Sequence, residues 1–290
     1  MLDYSVNWGE TMYLHYFNLQ EEPFNMTPDP RFLFLSQQHE SAIESLLYGI
    51  QERKGFITLT GEVGTGKTTI CRALIHRLDS SEIEIAVILN PILSVPALLK
   101  AINKDFGNRI RGNSAEAQLE GLHRFLLNRV AKNNNAVVLI DEAQHLSIEA
   151  LEMIRLLSNL ETDKQKLLQI ILVGQPELDD KLNNYCLRQL AQRISIRIHL
   201  DKLDLEDTRN YIFHRLSIAG GEGHINFENN ALKKIYRYTK GHPRLINALC
   251  DRSLLEAYAR RHRTIDKSII NVSVTDLNGN RTKPWWQRIF

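Results

Sequence analysis

Apolar residues along this chain fall into short unbroken runs over its first two thirds and into helical spacing over its last third. The runs at 56–60, 83–89, 136–140, 167–173 and 194–200 have strand length. The stretch Ala136-Val137-Val138-Leu139-Ile140 has no polar alternation, as expected of a parallel strand covered on both faces. Between these runs lie segments with a helical period. In 36–51, Ile43, Leu46, Leu47 and Ile50 share a face and Ser36 is placed to cap it. Residues 69–75, 94–106, 114–132 and 178–191 also read as helices, as does 147–161, with Ile148, Leu151, Ile154, Leu157 and Leu160 spaced for one face. Strands alternating with helices predict an α/β fold with a five-stranded parallel sheet. From about residue 204 the strand pattern stops. Helical periods at 205–218, 227–239 and 243–262 follow one another and predict a small all-helical second domain.

One interruption of this pattern carries chemistry. Gly61-Glu62-Val63-Gly64-Thr65-Gly66-Lys67-Thr68, followed by Thr69, is a complete G-x-x-x-x-G-K-T phosphate-binding loop, with a strand before it and a helix after it. Glycines let backbone N–H groups crowd around phosphates where side chains would clash. The helix start adds a partial positive charge. Lys67 adds a full one, and the Thr68 hydroxyl is a ligand for Mg²⁺.

The strand 137–140 runs into Asp141-Glu142. Strand carboxyl ends face the ligand crevice in such folds, which puts Asp141 in the Mg²⁺ shell and Glu142 where it can polarise an attacking water. Gln175, just past the strand at 168–173, is a candidate sensor between the γ-phosphate and that water; a turn-capping role is the competing reading. Arg188, Arg193 and Arg197 cluster around the last strand. Arg197 alternates with apolar neighbours as the solvated side of an edge strand would. Arg188 or Arg193 is a candidate arginine finger toward a neighbouring subunit, and a surface salt bridge competes with that role. In Gly241-His242-Pro243-Arg244, Pro243 opens a helix, and Arg244 is placed to reach back to a nucleotide. The histidines, His39, His76, His123, His145 and His199 among them, show no ligand spacing and receive no role.

Composition narrows the setting more than the chemistry. The chain has 290 residues, 43% hydrophobic and 24% charged, with a net charge of +2, too mild to demand nucleic acid or anionic lipid. Its 3 cysteines form no metal or disulfide spacing and suit a reducing cytoplasm. Neither a signal peptide nor an apolar run of spanning length is present. Residues 1–11 read as a leader, which leaves Met1 and Met12 both open as the start. The tail, with Lys283, Trp285, Trp286 and Arg288, suits an interfacial anchor or a docking peptide, with a disordered end as the alternative.

Several segments together resemble the AAA+ ATPases of the general secretion pathway protein A (ExeA-like) and MshM kind. They are Met12-Tyr13-Leu14, Phe17, Pro23-Phe24, Thr27-Pro28-Asp29-Pro30-Arg31-Phe32, Leu47-Tyr48-Gly49-Ile50, the phosphate loop, Asp141-Glu142-Ala143-Gln144, Gly174-Gln175-Pro176-Glu177-Leu178 and Gly241-His242-Pro243-Arg244. The resemblance implies an AAA+ P-loop NTPase core (36–203) behind a leader and nucleotide-flanking loop (1–35), then a helical lid (204–272) and a flexible or juxtamembrane tail (273–290). It implies ATP and Mg²⁺ as ligands, Lys67 and Thr68 as Walker A, Asp141 and Glu142 as Walker B, and Arg244 as sensor 2. It further implies a homo-oligomer that works with an inner-membrane secretion or pilus partner from the cytoplasmic face. An AAA+ regulator of transposition or replication (TniB-like) shares this core; the mixed charges and the absence of an appended winged helix argue against nucleic acid as the partner.

Overall fold

The computed structural model describes residues 13–279 apart from 28, 79–81, 162–164 and 222. The leader through Met12 and the Trp285-Trp286 tail therefore lie outside the described residues. Among the described residues, no helix is long and apolar enough to cross a membrane. The chain divides into two compact units. One is Gln37–Asp201; the other joins the segment ending at Ser36 to the segment beginning at Lys202.

The first unit is a parallel sheet of β1 (Phe56–Gly61), β2 (Ile83–Ile88), β3 (Asn135–Ile140), β4 (Gln169–Gly174) and β5 (Ile194–Leu200), in the order β2-β3-β4-β1-β5. This is the α/β sheet anticipated from the apolar runs. The three inner strands β1, β3 and β4 are buried at every position, whereas β5, at one edge, alternates between partly buried and exposed residues up to Leu200. The unbroken and alternating texts of these strands thus report central and edge positions.

The covering helices are α1 (Gln37–Gln51), α2 (Lys67–Arg77), α3 (Val95–Asp105), α4 (Ala115–Ala131), α5 (Ile148–Leu157), α6 (Pro176–Leu182) and the short α7 (Arg188–Ala191). Ser114 and Ser147 cap α4 and α5 by accepting from Ala117 N (3.2 Å) and Ala150 N (3.1 Å). The single helix expected over 178–191 is instead α6, a 3₁₀ turn Tyr185–Leu187, and α7. Asn184 is the reason: its side chain accepts from Cys186 N (3.2 Å) and starts a new turn there.

A buried polar joint holds the amino ends of the inner strands. Gln169 Nε2 donates to Gly49 O and Lys54 O, both at 2.9 Å, and its Oε1 accepts from Asn135 Nδ2. Asn135 Nδ2 also donates to Ile50 O (3.2 Å). Two strands are so pinned to the end of α1.

The second unit holds α8 (Leu205–Ile218), α9 (Asn229–Thr239), α10 (Pro243–Ala259) and α11 (Lys267–Leu277). It is not all-helical as expected. Asn226–Phe227 (β6) and Thr264–Ile265 (β7) form a two-residue parallel pair. Helix periodicity conceals such a pair, because each half is only the buried end of a loop. The lid boundary at 272 also falls inside α11, which Asp266 caps by accepting from Ile269 N (2.9 Å). Gly241 has a φ of 76°, and a Cβ there would lie 1.8 Å from Leu203 O, so the Gly-His-Pro-Arg turn requires glycine.

Residues 13–36 belong to this helical unit and fill its core. Tyr13, Phe17, Phe24 and Phe32 are buried among Tyr211, Ile212, Leu216 and Leu249. Arg215 of α8 is the clasp. It donates to Pro23 O, to Asn25 O (3.2 Å) and to the Tyr211 hydroxyl (3.0 Å), and its guanidinium lies 4.8 Å from the centre of the Phe32 ring. Of the segment 1–35 expected as leader and nucleotide-flanking loop, the described part from Tyr13 onward thus packs among the helices of this unit.

Two outcomes follow. Replacing Gln169 by Leu leaves the Gly49 and Lys54 carbonyls and Asn135 without this donor and acceptor, at a cost of about 2 kcal/mol, measurable by urea unfolding. Replacing Arg215 by Met strips the Pro23 and Asn25 carbonyls of their charged donor. Limited proteolysis within residues 13–36 should accelerate about tenfold, while fragments of 37–201 persist.

Candidate nucleotide site

The phosphate loop leaves β1 at Gly61 and enters α2 at Lys67. Gly66 turns the chain at φ 96°, a left-handed conformation, and its carbonyl accepts from Ile70 N (2.9 Å) to start the helix. Thr65 braces the loop from inside, donating through Oγ1 to Glu62 O (2.9 Å). Lys67 is buried, and its ammonium donates to Gly61 O (2.6 Å) and Glu62 O (2.8 Å). Burial pushes that ammonium below its ordinary range, against the pull of the Glu142, Asp141 and Glu62 carboxylates. Thr68 and Val63 are exposed, Gly64 and Thr69 half-buried, and Glu62 exposed at the loop's rim.

Asp141 follows directly on β3 and is only 5% exposed. Its Oδ2 accepts from the Thr68 hydroxyl at 3.1 Å, and its Oδ1 from Glu142 N at 2.9 Å. The two residues thus face each other across the sheet's carboxyl edge. A hydroxyl and a carboxylate are the hard oxygen donors Mg²⁺ takes when substrate phosphates and water complete its shell, so the pair fits that ion. Among the described residues, no group of three or more His, Cys, Asp or Glu is placed to hold a metal.

Glu142 sits at φ 53°, an uncommon conformation for a glutamate and one that costs on the order of 1 kcal/mol. Two amides hold its side chain: Gln144 Nε2 at 2.5 Å and Gln175 Nε2 at 3.2 Å, both on Oε2. Gln144 Oε1 in turn accepts from Gln175 N (3.2 Å). Lys181 of α6 donates to Gln144 O (2.5 Å) and Leu146 O (2.9 Å), fixing the turn that carries the glutamine. Burial raises the Glu142 carboxyl, but the two amides, with Lys67 and His145 nearby, outweigh it and hold the group below the usual range. Glu142 is therefore an ionised acceptor at neutral pH.

Lys67, Thr68, Asp141, Glu142 and Gln175 come together. Arg193 does not join them within the chain. It precedes β5, whose first residue Ile194 pairs with Phe56 at the opposite end of β1 from the loop. It donates to Ser158 Oγ (2.9 Å) and to Asn159 Oδ1. Arg188 lies 5.1 Å from the centre of the exposed Tyr185 ring, and Arg197 makes a 3.8 Å ion pair with Asp179. Arg244 is exposed in the first turn of α10, in the helical unit.

Three contributors escaped sequence reasoning. Gln144 was visible only as part of a motif. Lys181 carries no signal in its local sequence. His39 is buried on α1, and its Nε2 lies 2.8 Å from Thr65 O of the loop. The available signal was its position one turn before Ile43, on the apolar face of a helix, where a polar side chain needs a partner.

Residues 50–182 match the family described as AAA domain. Over 277 residues, 95% of this chain, the sequence is 45% identical to the General secretion pathway protein A of Aeromonas hydrophila; it spans 50% of that protein's length. The fold is shared with Aeropyrum pernix ORC2 in its ADPNP-ADP complexes, at a TM-score of 0.61 and 16% identity over 89% of this chain and 72% of that one. Drosophila ORC bound to DNA gives 0.67 and 15% over 96% and 70%, and the Thermotoga maritima RuvB Holliday junction branch migration motor 0.56 and 20% over 84% and 70%. Those three likenesses speak for the fold alone. Loop, sheet order and sequence relationship converge: the chain carries an AAA domain and is similar over nearly its whole length to General secretion pathway protein A.

Proposed function

We propose that the chain binds ATP with Mg²⁺ at the phosphate loop, hydrolyses it to ADP and phosphate, and uses the cycle to assemble or remodel a secretion or pilus machine at the cytoplasmic face of the inner membrane. The observation that carries the chemistry is the convergence of Lys67, Thr68, Asp141 and an amide-held Glu142 on one loop. The likeness to General secretion pathway protein A supports the setting.

In this reading the backbone N–H groups of residues 61–69 surround the phosphates, and the start of α2 adds its dipole. Lys67 leaves the Gly61 and Glu62 carbonyls for the phosphate oxygens, where a desolvated ammonium gains most from a negative partner. Thr68 and Asp141 hold the magnesium ion, which neutralises charge developing on the phosphates. Glu142 orients a water and accepts its proton. Gln175 and Gln144 fix the carboxylate, and Gln175 is placed to report whether a γ-phosphate is present. Arg193 acts on the site of an adjacent copy in a homo-oligomer, exchanging Ser158 and Asn159 for that copy's γ-phosphate. Arg244 senses the nucleotide from the helical lid, whose movement is the mechanical output.

Lys67→Ala should abolish detectable binding of a fluorescent ATP analogue. Glu142→Gln should retain that binding within about threefold and slow phosphate release roughly 100-fold, the usual scale of a lost general base. Wild-type turnover in Glu142→Gln would refute the assignment. Arg193→Ala should leave ATP affinity unchanged and lower turnover on the order of 1000-fold in the assembled state, restored in part by mixing with Lys67→Ala protein that supplies the arginine.

A further inference from the structure

His39 stands outside the strand–loop–helix motif, yet it touches the loop at its tightest point. It lies in the first turn of α1 and is only 4% exposed. Its Nε2 is 2.8 Å from Thr65 O. A carbonyl oxygen can only accept, so Nε2 carries the proton and donates. The ring also fills the space beside Gly66: a Cβ on that glycine would come within 2.6 Å of His39 Nε2 and 3.2 Å of Cδ2.

The peptide joining Thr65 to Gly66 is trans, as are all peptide bonds among the described residues, and it is planar. In such a unit the C=O and the following N–H point in opposite directions. Holding the Thr65 carbonyl toward α1 therefore turns the Gly66 N–H away from α1. Gly66 is fixed on its other side as well, because its carbonyl accepts from Ile70 N (2.9 Å). The Gly61 and Glu62 carbonyls of the loop accept from Lys67, a donor that the phosphates recruit. The His39–Thr65 bond uses neither Lys67 nor the carbonyls that Lys67 holds, so recruitment of Lys67 by the phosphates leaves that bond in place.

We propose that His39 is a positioning residue that aims the Gly66 amide at the bound phosphates and so sets the loop's affinity for them. The proposal rests on the nucleotide reading of the site above. It concerns phosphate recognition rather than the nucleoside, and this is what separates it from a merely structural role.

The test compares native protein, His39→Ala and His39→Gln by calorimetric titration with Mg-ATP, Mg-pyrophosphate and adenosine, with thermal melting as the check on folding. One lost hydrogen bond to a preorganised loop should weaken ATP and pyrophosphate about tenfold in His39→Ala. Adenosine affinity should stay unchanged. His39→Gln, whose amide N–H can donate to the same carbonyl, should return both phosphate ligands to within about threefold of native. The proposal is overturned if His39→Ala binds ATP within about twofold of native, if adenosine weakens as much as ATP, or if His39→Gln is no better than His39→Ala. Should His39→Ala not fold, His39→Leu, which fills the space without a donor, takes its place in the same comparison. Native protein that binds no ATP, or Lys67→Ala protein that binds it normally, would defeat the nucleotide reading itself rather than the role of His39.

Discussion

The parallel alignment of β3, β4 and β1 is the constraint on which the site depends. Three neighbouring strands finish at one edge of the sheet, and each finishes in a polar group: Asp141 after β3, Gln175 after β4, the Gly61 loop after β1. Were any one of them antiparallel, its terminal residue would sit at the far edge, about 20 Å away for a six-residue strand. The Thr68–Asp141 hydrogen bond at 3.1 Å is the local record of that alignment, since its partners lie 73 positions apart in sequence, one in the helix that follows β1 and the other just after the non-adjacent β3.

Within that edge, the electrostatics follow from who is buried and who is held. Lys67 is desolvated and leans on backbone carbonyls, a weaker substitute for the anion it suits. Glu142 occupies a strained backbone conformation, and two glutamine amides fix its carboxylate in the charged form. Strain at such a residue persists only where surrounding contacts over-determine it. Lys181, Gln144 and Gln175 supply those contacts, which gives α6 a function beyond covering the sheet.

The helical unit depends on a different principle. Four helices leave a core that the aromatic residues of 13–36 complete, and Arg215 satisfies the Pro23 and Asn25 carbonyls of that segment. A segment rich in Pro, Asn and Asp reads as loop from its backbone chemistry, and it is one. What its text does not convey is that its aromatic side chains bury themselves among helices nearly two hundred positions later in sequence. The same blindness hid the β6–β7 pair, where each two-residue strand exists only because the other is present.

The amino-acid sequence by itself determined the strand–helix alternation, the inner and edge strands, the phosphate loop and the Asp141-Glu142 pair, because each is written in neighbouring residues whose spacing reflects local backbone geometry. Asn184 breaking a helix was also written there, though too faintly against a strong apolar period. Only the tertiary structure decided that Gln144 and Gln175 share one carboxylate oxygen, that Arg193 faces away from its own loop, and that a helix-face histidine supports the Thr65 carbonyl. These are contacts between side chains tens of residues apart. Their existence depends on strand order and helix packing, quantities that no local window of sequence contains.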